Sequence, residues 1–242
     1  MKIEERSLYG IYFGGYSTHI QQPESHCFKV PSNLPLEKVA PLMCAGVTTF
    51  TPLQIYAKQG QKIAILGVGG LGHMAAQYSF KMGLEVHAFS TTEGKDEWYK
   101  SLGITKIINW RKEDLSKFQN EYDIIFNTIP VGLDQEQMDR FLRCLKPYGK
   151  FINVGLSDIK ENLVIAQVSF VQKGLLVIGS LVGGVVHTEE ALRFSAENGV
   201  ECLSEFYEWD DFPKALEKLE HGKPHFRCVV RVDKESMKYG KK

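Results

Sequence analysis

Between Lys62 and Thr92 the chain reads IAILGVGGLGHMAAQYSFKMGLEVHAFSTT, and this segment constrains the fold more than any other. It sets an apolar run, a glycine cluster, an amphipathic stretch and a second apolar run within the length of one βαβ unit. Ile63 to Leu66 suits a strand buried on both faces. Gly67, Gly69 and Gly72 follow at once in G-x-G-x-x-G order. In such a turn Gly67 permits the tight bend, Gly69 lets the backbone approach a pyrophosphate, and Gly72 lets the helix pack close to the strand. The helix start then offers unpaired N–H groups and the positive end of its dipole to phosphate. Leu71, Met74, Ala75, Tyr78 and Met82 recur at helical spacing, giving the helix an apolar stripe. Glu85 to Phe89 is the returning strand. An ordinary tight turn is the competing reading of the glycines, and the strand before and helix after them favour a bound dinucleotide.

Units that bind NAD commonly end their second strand with an acidic residue about 20 residues on, bonded to the ribose 2′-hydroxyl. Here that place holds Ser90. Ser90, Thr91 and Thr92 offer hydroxyl donors without negative charge, and Lys95 adds a cation, a set suited to a ribose 2′-phosphate. The expected cofactor is therefore NADP. Ser-Thr-Thr also suits a helix cap, and the two roles are compatible.

The 242 residues suffice for one large or two small domains. Lysines plus arginines equal aspartates plus glutamates at 29 each, so no basic field points to nucleic acid or an anionic membrane as partner. No apolar run approaches the roughly 18 residues of a membrane span, and MKIEERSLYG lacks the apolar core of a signal peptide. A cytoplasmic protein is expected. The five cysteines, Cys27, Cys44, Cys144, Cys202 and Cys228, form no C-x-x-C pair, which argues against a disulfide framework or a zinc knuckle. A basic tail from Lys234 to Lys242 is expected to fray.

Beyond the first unit, helices are expected over Lys95–Gly103, Glu113–Asn120 and Leu133–Leu145, the last ending at Pro147 and Gly149. Strands are expected over Lys106–Asn109, Asp123–Ile129, Lys150–Val154 and Leu175–Ile178. Alternating strands and helices mean a parallel, doubly wound α/β sheet. A ligand should sit outside the carboxyl ends of its strands, near Thr128, Gly155 and Ser180; a strand-end residue satisfying a backbone group is the other reading of each. Gly15 to Pro35, punctuated by Pro23, Pro31 and Pro35, reads as short β segments outside that sheet. Thr188–Asn198, Asp211–His221 and Phe226–Val232 read as helix, helix and a final strand. The flanks, residues 1–50 and 185–242, are expected to meet as a smaller domain, with a dinucleotide domain over 51–184 inserted between them.

GGYSTHI at Gly14–Ile20, KVPSNLPLEKVAPLMCAGVTTFTPL at Lys29–Leu53 and GVGGLGHMAAQ at Gly67–Gln77 together closely resemble the zinc-dependent medium-chain alcohol dehydrogenases, nearest the cinnamyl alcohol dehydrogenase branch. The likeness continues through NTIPV at Asn127–Val131, NVGL at Asn153–Leu156, GSLVGG at Gly179–Gly184 and FRCVV at Phe226–Val230. It implies a Rossmann domain beside a GroES-like, mainly β catalytic domain. It further implies cofactor contacts at Thr48, Gly67, Gly69, Gly70, Leu71, Ser90, Thr91, Thr92, Lys95 and Thr128, and at Val154, Gly155, Leu156, Ser180, Leu181 and Val182. Arg227 is a weaker candidate for a phosphate contact. The resemblance also implies a homodimer through the last strand of the cofactor sheet, near Leu175–Leu181.

By the same resemblance Cys44 maps onto the last of three protein ligands to a catalytic zinc. In the family the other ligands, a structural zinc loop and the proton-relay residues precede GGYSTHI. This chain starts at Met1 shortly before that motif, so most of that region is expected to be absent. One thiolate does not hold a catalytic zinc, which takes three protein ligands and an open position. His26 and Cys27 are adjacent on an expected extended segment and point opposite ways. Cys44 is accordingly expected as a buried small hydrophobe. His73 is expected to pack beside the cofactor helix and His19 to serve the framework. The implied activity is hydride transfer between NADP(H) and a primary alcohol or aldehyde, with zinc as Lewis acid. The alternative is an NADP-binding module without zinc chemistry, with a zinc-free reductase as a lesser variant.

Overall fold

In β1 (Lys62–Leu66), Ile63 and Ile65 enter one apolar cluster and Ala64 and Leu66 another, and all four are fully buried. Alternation with both faces covered is the condition under which strands pair in parallel. β1 does so on both edges, Ile63 lying opposite Val86 of β2 (Glu85–Phe89) and Ile124 of the strand Tyr122–Asn127. With β3 (Ile104–Ile108), that strand as β4, β5 (Leu145–Asn153) and β6 (Leu176–Gly179), the computed structural model has a six-stranded parallel sheet in the order β3-β2-β1-β4-β5-β6. The order reverses between β1 and β4, so a crevice opens at their carboxyl ends. The doubly wound sheet read from the sequence is thus the fold observed.

The structure describes residues 15, 17, 20–92, 94, 96–156, 161–221 and 226–232. The expectations for His19, Lys95 and the tail 234–242 lie outside the described residues.

The helices are α1 (Ala45–Tyr56), α2 (Gly72–Lys81), α3 (Asp96–Ser101), α4 (Gln135–Cys144), α5 (Gln167–Val171), α6 (Val185–Asn198) and α7 (Phe212–Glu220). α1, α2 and α6 cover one face of the sheet, where the rings of Phe50, Tyr78 and Phe194 meet with centroids 5.3 to 5.9 Å apart. The Tyr78 hydroxyl, buried there, bonds Ser195 Oγ at 2.7 Å, which meets the need of a buried phenol for a partner. α4 covers the other face through Met138, Phe141 and Leu142. It starts on a capping box, Asp134 Oδ1 accepting from the Gln137 N–H at 2.8 Å. β7 (Glu205–Tyr207) and β8 (Cys228–Val230) form a separate two-stranded parallel sheet. No helix among the described residues is long and apolar enough to cross a membrane.

Four expectations fail locally. The described residues of Gly15–Pro35 contain a 3₁₀ turn, Glu24–His26, and no strand; Pro23, Pro31 and Pro35 each lack a ladder donor. The expected helix at Glu113–Asn120 shrinks to a 3₁₀ turn, Leu115–Phe118, capped by Asp114. The strand expected at Lys150 starts at Leu145 instead and passes through Pro147 and Gly149, with a register shift between Tyr122 and Ile124 of its partner. Cys44, expected as a buried hydrophobe, is exposed, because it ends a 3₁₀ turn just before α1 rather than entering the helix core.

Candidate cofactor-binding site

The glycine turn leaves β1 where the sheet order reverses. Gly67 has φ +84°, a conformation suited to glycine, and a Cβ there would lie 2.5 Å from Ile129 Cγ2. Gly72, the first residue of α2, would place a Cβ 1.9 Å from the Gly67 carbonyl oxygen, so helix and turn are in direct backbone contact. At Gly69 a Cβ would meet nothing within 4 Å. Gly67 and Gly72 are therefore required by the protein's own packing, whereas Gly69 faces open space, as a backbone must where a ligand comes close. No side chain among the described residues caps α2; the His73 and Met74 N–H groups bond the Gly69 and Leu71 carbonyls at 3.0 Å each, so the backbone that borders the open space is the turn ahead of them, up to Gly72.

Thr128, at the carboxyl end of β4, fixes the turn from the side: its hydroxyl lies 2.8 Å from the Gly67 carbonyl and 3.1 Å from that of Leu66. From above, the chain returns at Phe226–Arg227. The Arg227 guanidinium carbon sits 3.0 Å from where a Gly70 Cβ would be. The enclosed cleft measures about 610 Å³ and is lined by Gly67 to Leu71, Thr92, Trp98, Tyr99, Thr128 to Pro130, Phe226 and Arg227. None of these described residues is acidic.

Of the residues expected at a cofactor, the cleft gathers Gly67, Gly69, Gly70, Leu71, Thr92, Thr128 and Arg227. Ser90 stands behind the wall. It is 5% exposed; its Oγ bonds the Tyr99 hydroxyl at 2.9 Å and accepts from the Thr92 N–H at 3.1 Å, so it shapes the turn that leaves Thr91 and Thr92 exposed. Val154, Gly155 and Leu156 follow β5, and Ser180, Leu181 and Val182 follow β6, in a row at the carboxyl ends outside the cleft. Thr48 is buried in the first turns of α1. Trp98, Tyr99, Ile129, Pro130 and Phe226 were not singled out from the sequence. The aromatic pair Trp98-Tyr99, following the Ser-Thr-Thr segment, was the available signal.

His73 lies under the turn, wholly buried. Its Nε2 accepts from the Leu203 N–H at 3.1 Å, which leaves the proton on Nδ1 to donate to the Gly69 carbonyl at 2.9 Å. Burial pushes its pKa down to about 4, with the Arg227 charge acting in the same sense. It is a neutral brace for the glycine turn. Cys44 opens on a second hollow with Pro41, Trp209, Phe212 and Val230. Among the described residues no three His, Cys, Asp or Glu side chains gather as a metal site, and His26 and Cys27 do not join Cys44 in one.

Comparison with known proteins matches residues 70–197 to the model of a family described as zinc-binding dehydrogenase. An alcohol dehydrogenase of Geobacillus stearothermophilus is 34% identical over 92% of this chain and 66% of its own length. A cinnamyl alcohol dehydrogenase of Sorghum bicolor superposes with a TM-score of 0.77 at 32% identity, covering 85% of this chain and 58% of its own. The CAD of Helicobacter pylori, solved in complex with NADP(H), gives 0.76 at 35% identity, over 87% and 59%. The chain thus spans a little under two thirds of the length of the relatives it matches.

Proposed function

The chain belongs to the zinc-binding dehydrogenase family, and on that premise we propose that its cleft binds NADP(H) for an oxidoreductase interconverting a primary alcohol and an aldehyde. The observation that carries the reading is the open backbone at Gly69, next to Gly70 with Arg227 against it, at the start of a helix that no described side chain caps. A diphosphate fits there: the positive end of α2 points at it, the Arg227 guanidinium offers charged donors, and no side chain at Gly69 obstructs it. When bound, the nicotinamide supplies the hydride chemistry. The protein's part is to hold the turn through Thr128 and His73 and to present Thr91 and Thr92 to the ribose. We place the ligand's outer half along the row Val154 to Leu156 and Ser180 to Val182.

Preference for the 2′-phosphate is supported by Ser90 at the position of the usual acidic residue and by the cleft lining, whose described residues include no carboxylate. Calorimetric titration of NADPH and NADH into Thr92→Asp, which sets the carboxylate on the cleft lining rather than behind it, tests this. NADPH binding should weaken by about tenfold or more and NADH far less; equal losses would overturn the assignment. The described donors do not fit a catalytic zinc, since Cys44 has no companion ligands among them, so no zinc step is assigned. That same observation favours a second reading, a cofactor-binding module without zinc chemistry. Metal analysis with an aldehyde-reduction assay on one preparation separates the two. We also propose a homodimer through β6, whose Leu176 and Val177 are over 40% exposed and which is followed by Leu181 at 84%. Val177→Lys should convert the dimer to monomer in sedimentation velocity.

A further inference from the structure

Phe226 has φ +74°, in the left-handed region that residues with a side chain seldom adopt and keep only where neighbours over-determine them. Two rings hold it. The Trp98 indole of α3 stacks on it with centroids 4.8 Å apart and planes 24° from parallel. His73 of α2 meets it at 4.8 Å and 48°. The two holders differ in kind. His73 is fixed at both nitrogens by the Gly69 carbonyl and the Leu203 N–H, whereas Trp98 is half-buried on the six-residue α3 and borders the cleft.

Between these rings the next residue is aimed. The Phe226 carbonyl oxygen lies 2.9 Å, and the Arg227 guanidinium carbon 3.0 Å, from the place a Gly70 Cβ would take. A long flexible side chain on a short irregular segment would not by itself keep that position; arginine loses considerable rotamer freedom when fixed. None of the described residues lining the cleft carries a carboxylate that would hold it by charge. The Arg227 carbonyl accepts the Glu205 N–H at 2.7 Å, which ties the backbone to β7 and leaves the side chain to be aimed; what the structure offers for that is the aromatic stack one residue earlier.

We propose that Trp98 is a positioning residue of this site: by stacking on Phe226 it clasps the Phe226-Arg227 segment to the glycine turn and so sets the Arg227 guanidinium for a dinucleotide diphosphate. The inference rests on the cofactor reading above and adds to it a residue that never needs to touch the diphosphate.

The test is a double-mutant cycle on the full chain, titrating NADPH into the wild type, Trp98→Leu, Arg227→Gln and the double variant, with Trp98→Phe as the variant that keeps a stacking ring. Arg227→Gln should weaken binding about tenfold, the worth of a lost charge-assisted contact. Trp98→Leu should approach the same loss, Trp98→Phe should recover most of it, and in the Arg227→Gln background Trp98→Leu should cost little more. The thermal midpoint of the ligand-free protein should move alike for Trp98→Leu and Trp98→Phe, separating aim from stability. Equal losses from Trp98→Leu in both backgrounds, or none in either, would overturn the clasp while leaving the cofactor reading intact. A wild type that binds neither NADPH nor NADH would overturn the cofactor reading and the clasp with it.

Discussion

The two ends of β1 and β4 are built from opposite materials. At their carboxyl ends stand glycines, an uncapped helix start and one arginine over open space. At their amino ends charges close on one another: Lys62 Nζ lies 3.0 Å from Glu85 and 3.1 Å from Glu121, Lys146 reaches Asp123 at 2.8 Å, and Asp123 also accepts the Lys62 backbone N–H at 2.9 Å. Each end carries a buried histidine. His73 is bonded to backbone at both ring nitrogens; His87 is bonded to side chains, its Nδ1 to the Tyr122 hydroxyl at 3.0 Å and its Nε2 to Glu85 at 3.1 Å. Groups left unsatisfied at one end are available to a ligand, and groups satisfied at the other tie strands together. The sheet is common to both, so substitutions at either end separate binding from stability.

The sharpest separation should come within the glycine turn itself. Gly72→Ala forces a Cβ against the Gly67 carbonyl and should destabilise by about 3 kcal/mol or more, read by urea unfolding. Gly69→Ala meets nothing and should leave the unfolding midpoint nearly unchanged while reducing NADPH binding. If both variants lose stability alike, the distinction between a glycine needed for packing and one needed for a ligand fails.

Acid should act next most strongly, and chiefly at the carboxyl end. His73 has its folded pKa lowered from 6.5 to about 4, so between those values the unfolded chain binds the proton that the folded one refuses. The corresponding stability is full above pH 6.5 and is lost as pH falls toward about 4; the shift amounts to about 3 kcal/mol. His87 is lowered as well, by burial first and the Lys62 charge second, against the opposing pull of Glu85, and acts in the same direction. Unfolding free energies measured at pH 7.5 and 4.5 should differ less in His73→Gln than in the wild type. A pH dependence unchanged by that substitution would move the acid sensitivity to the other end.

How much of this was legible in sequence follows the same division. β1, the glycine turn and β2 are legible because each depends on neighbours a few residues away: an apolar run, a conformational need, a returning apolar run. Ser90 was found by its spacing, but its burial against Tyr99 was not, since a hydroxyl gives no sequence sign of which way it turns. The aromatic part of the cleft wall is not legible, because Phe226 meets Trp98 across more than a hundred residues and no local period reports such a meeting. β5 starts earlier than its sequence suggests, because Pro147 and Gly149 normally interrupt a strand and here the register shift accommodates them. Residue type favours burial for Cys44, whereas its place at the end of a 3₁₀ turn decides for exposure.

At the amino end, Tyr122→Phe isolates one buried hydrogen bond. The phenyl ring keeps its packing against Phe89, at 5.4 Å between centroids, while His87 Nδ1 loses its partner. The expected loss is about 1 to 2 kcal/mol, the cost of leaving a buried acceptor unpaired, with NADPH affinity unchanged. Altered affinity would mean that the two ends are coupled through β4.

The smallest effect should come from the most charged place. Lys62 contacts two carboxylates, and its pKa is raised by its bond to Glu85 ahead of the opposing effect of burial. Count of charges nevertheless overstates its worth, because the Glu85 side chain is 50% exposed and water already solvates much of the pair. Lys62→Met retains the apolar stem, so it removes the ammonium with little loss of packing. It should cost under about 1 kcal/mol, and the difference from wild type should shrink further at about 1 M salt, where screening is short-ranged. A larger, salt-insensitive loss would show that Lys62, Glu85, Glu121 and His87 act as one desolvated network. The amino end would then rank with the glycine turn as a determinant of the fold, rather than as its solvated border.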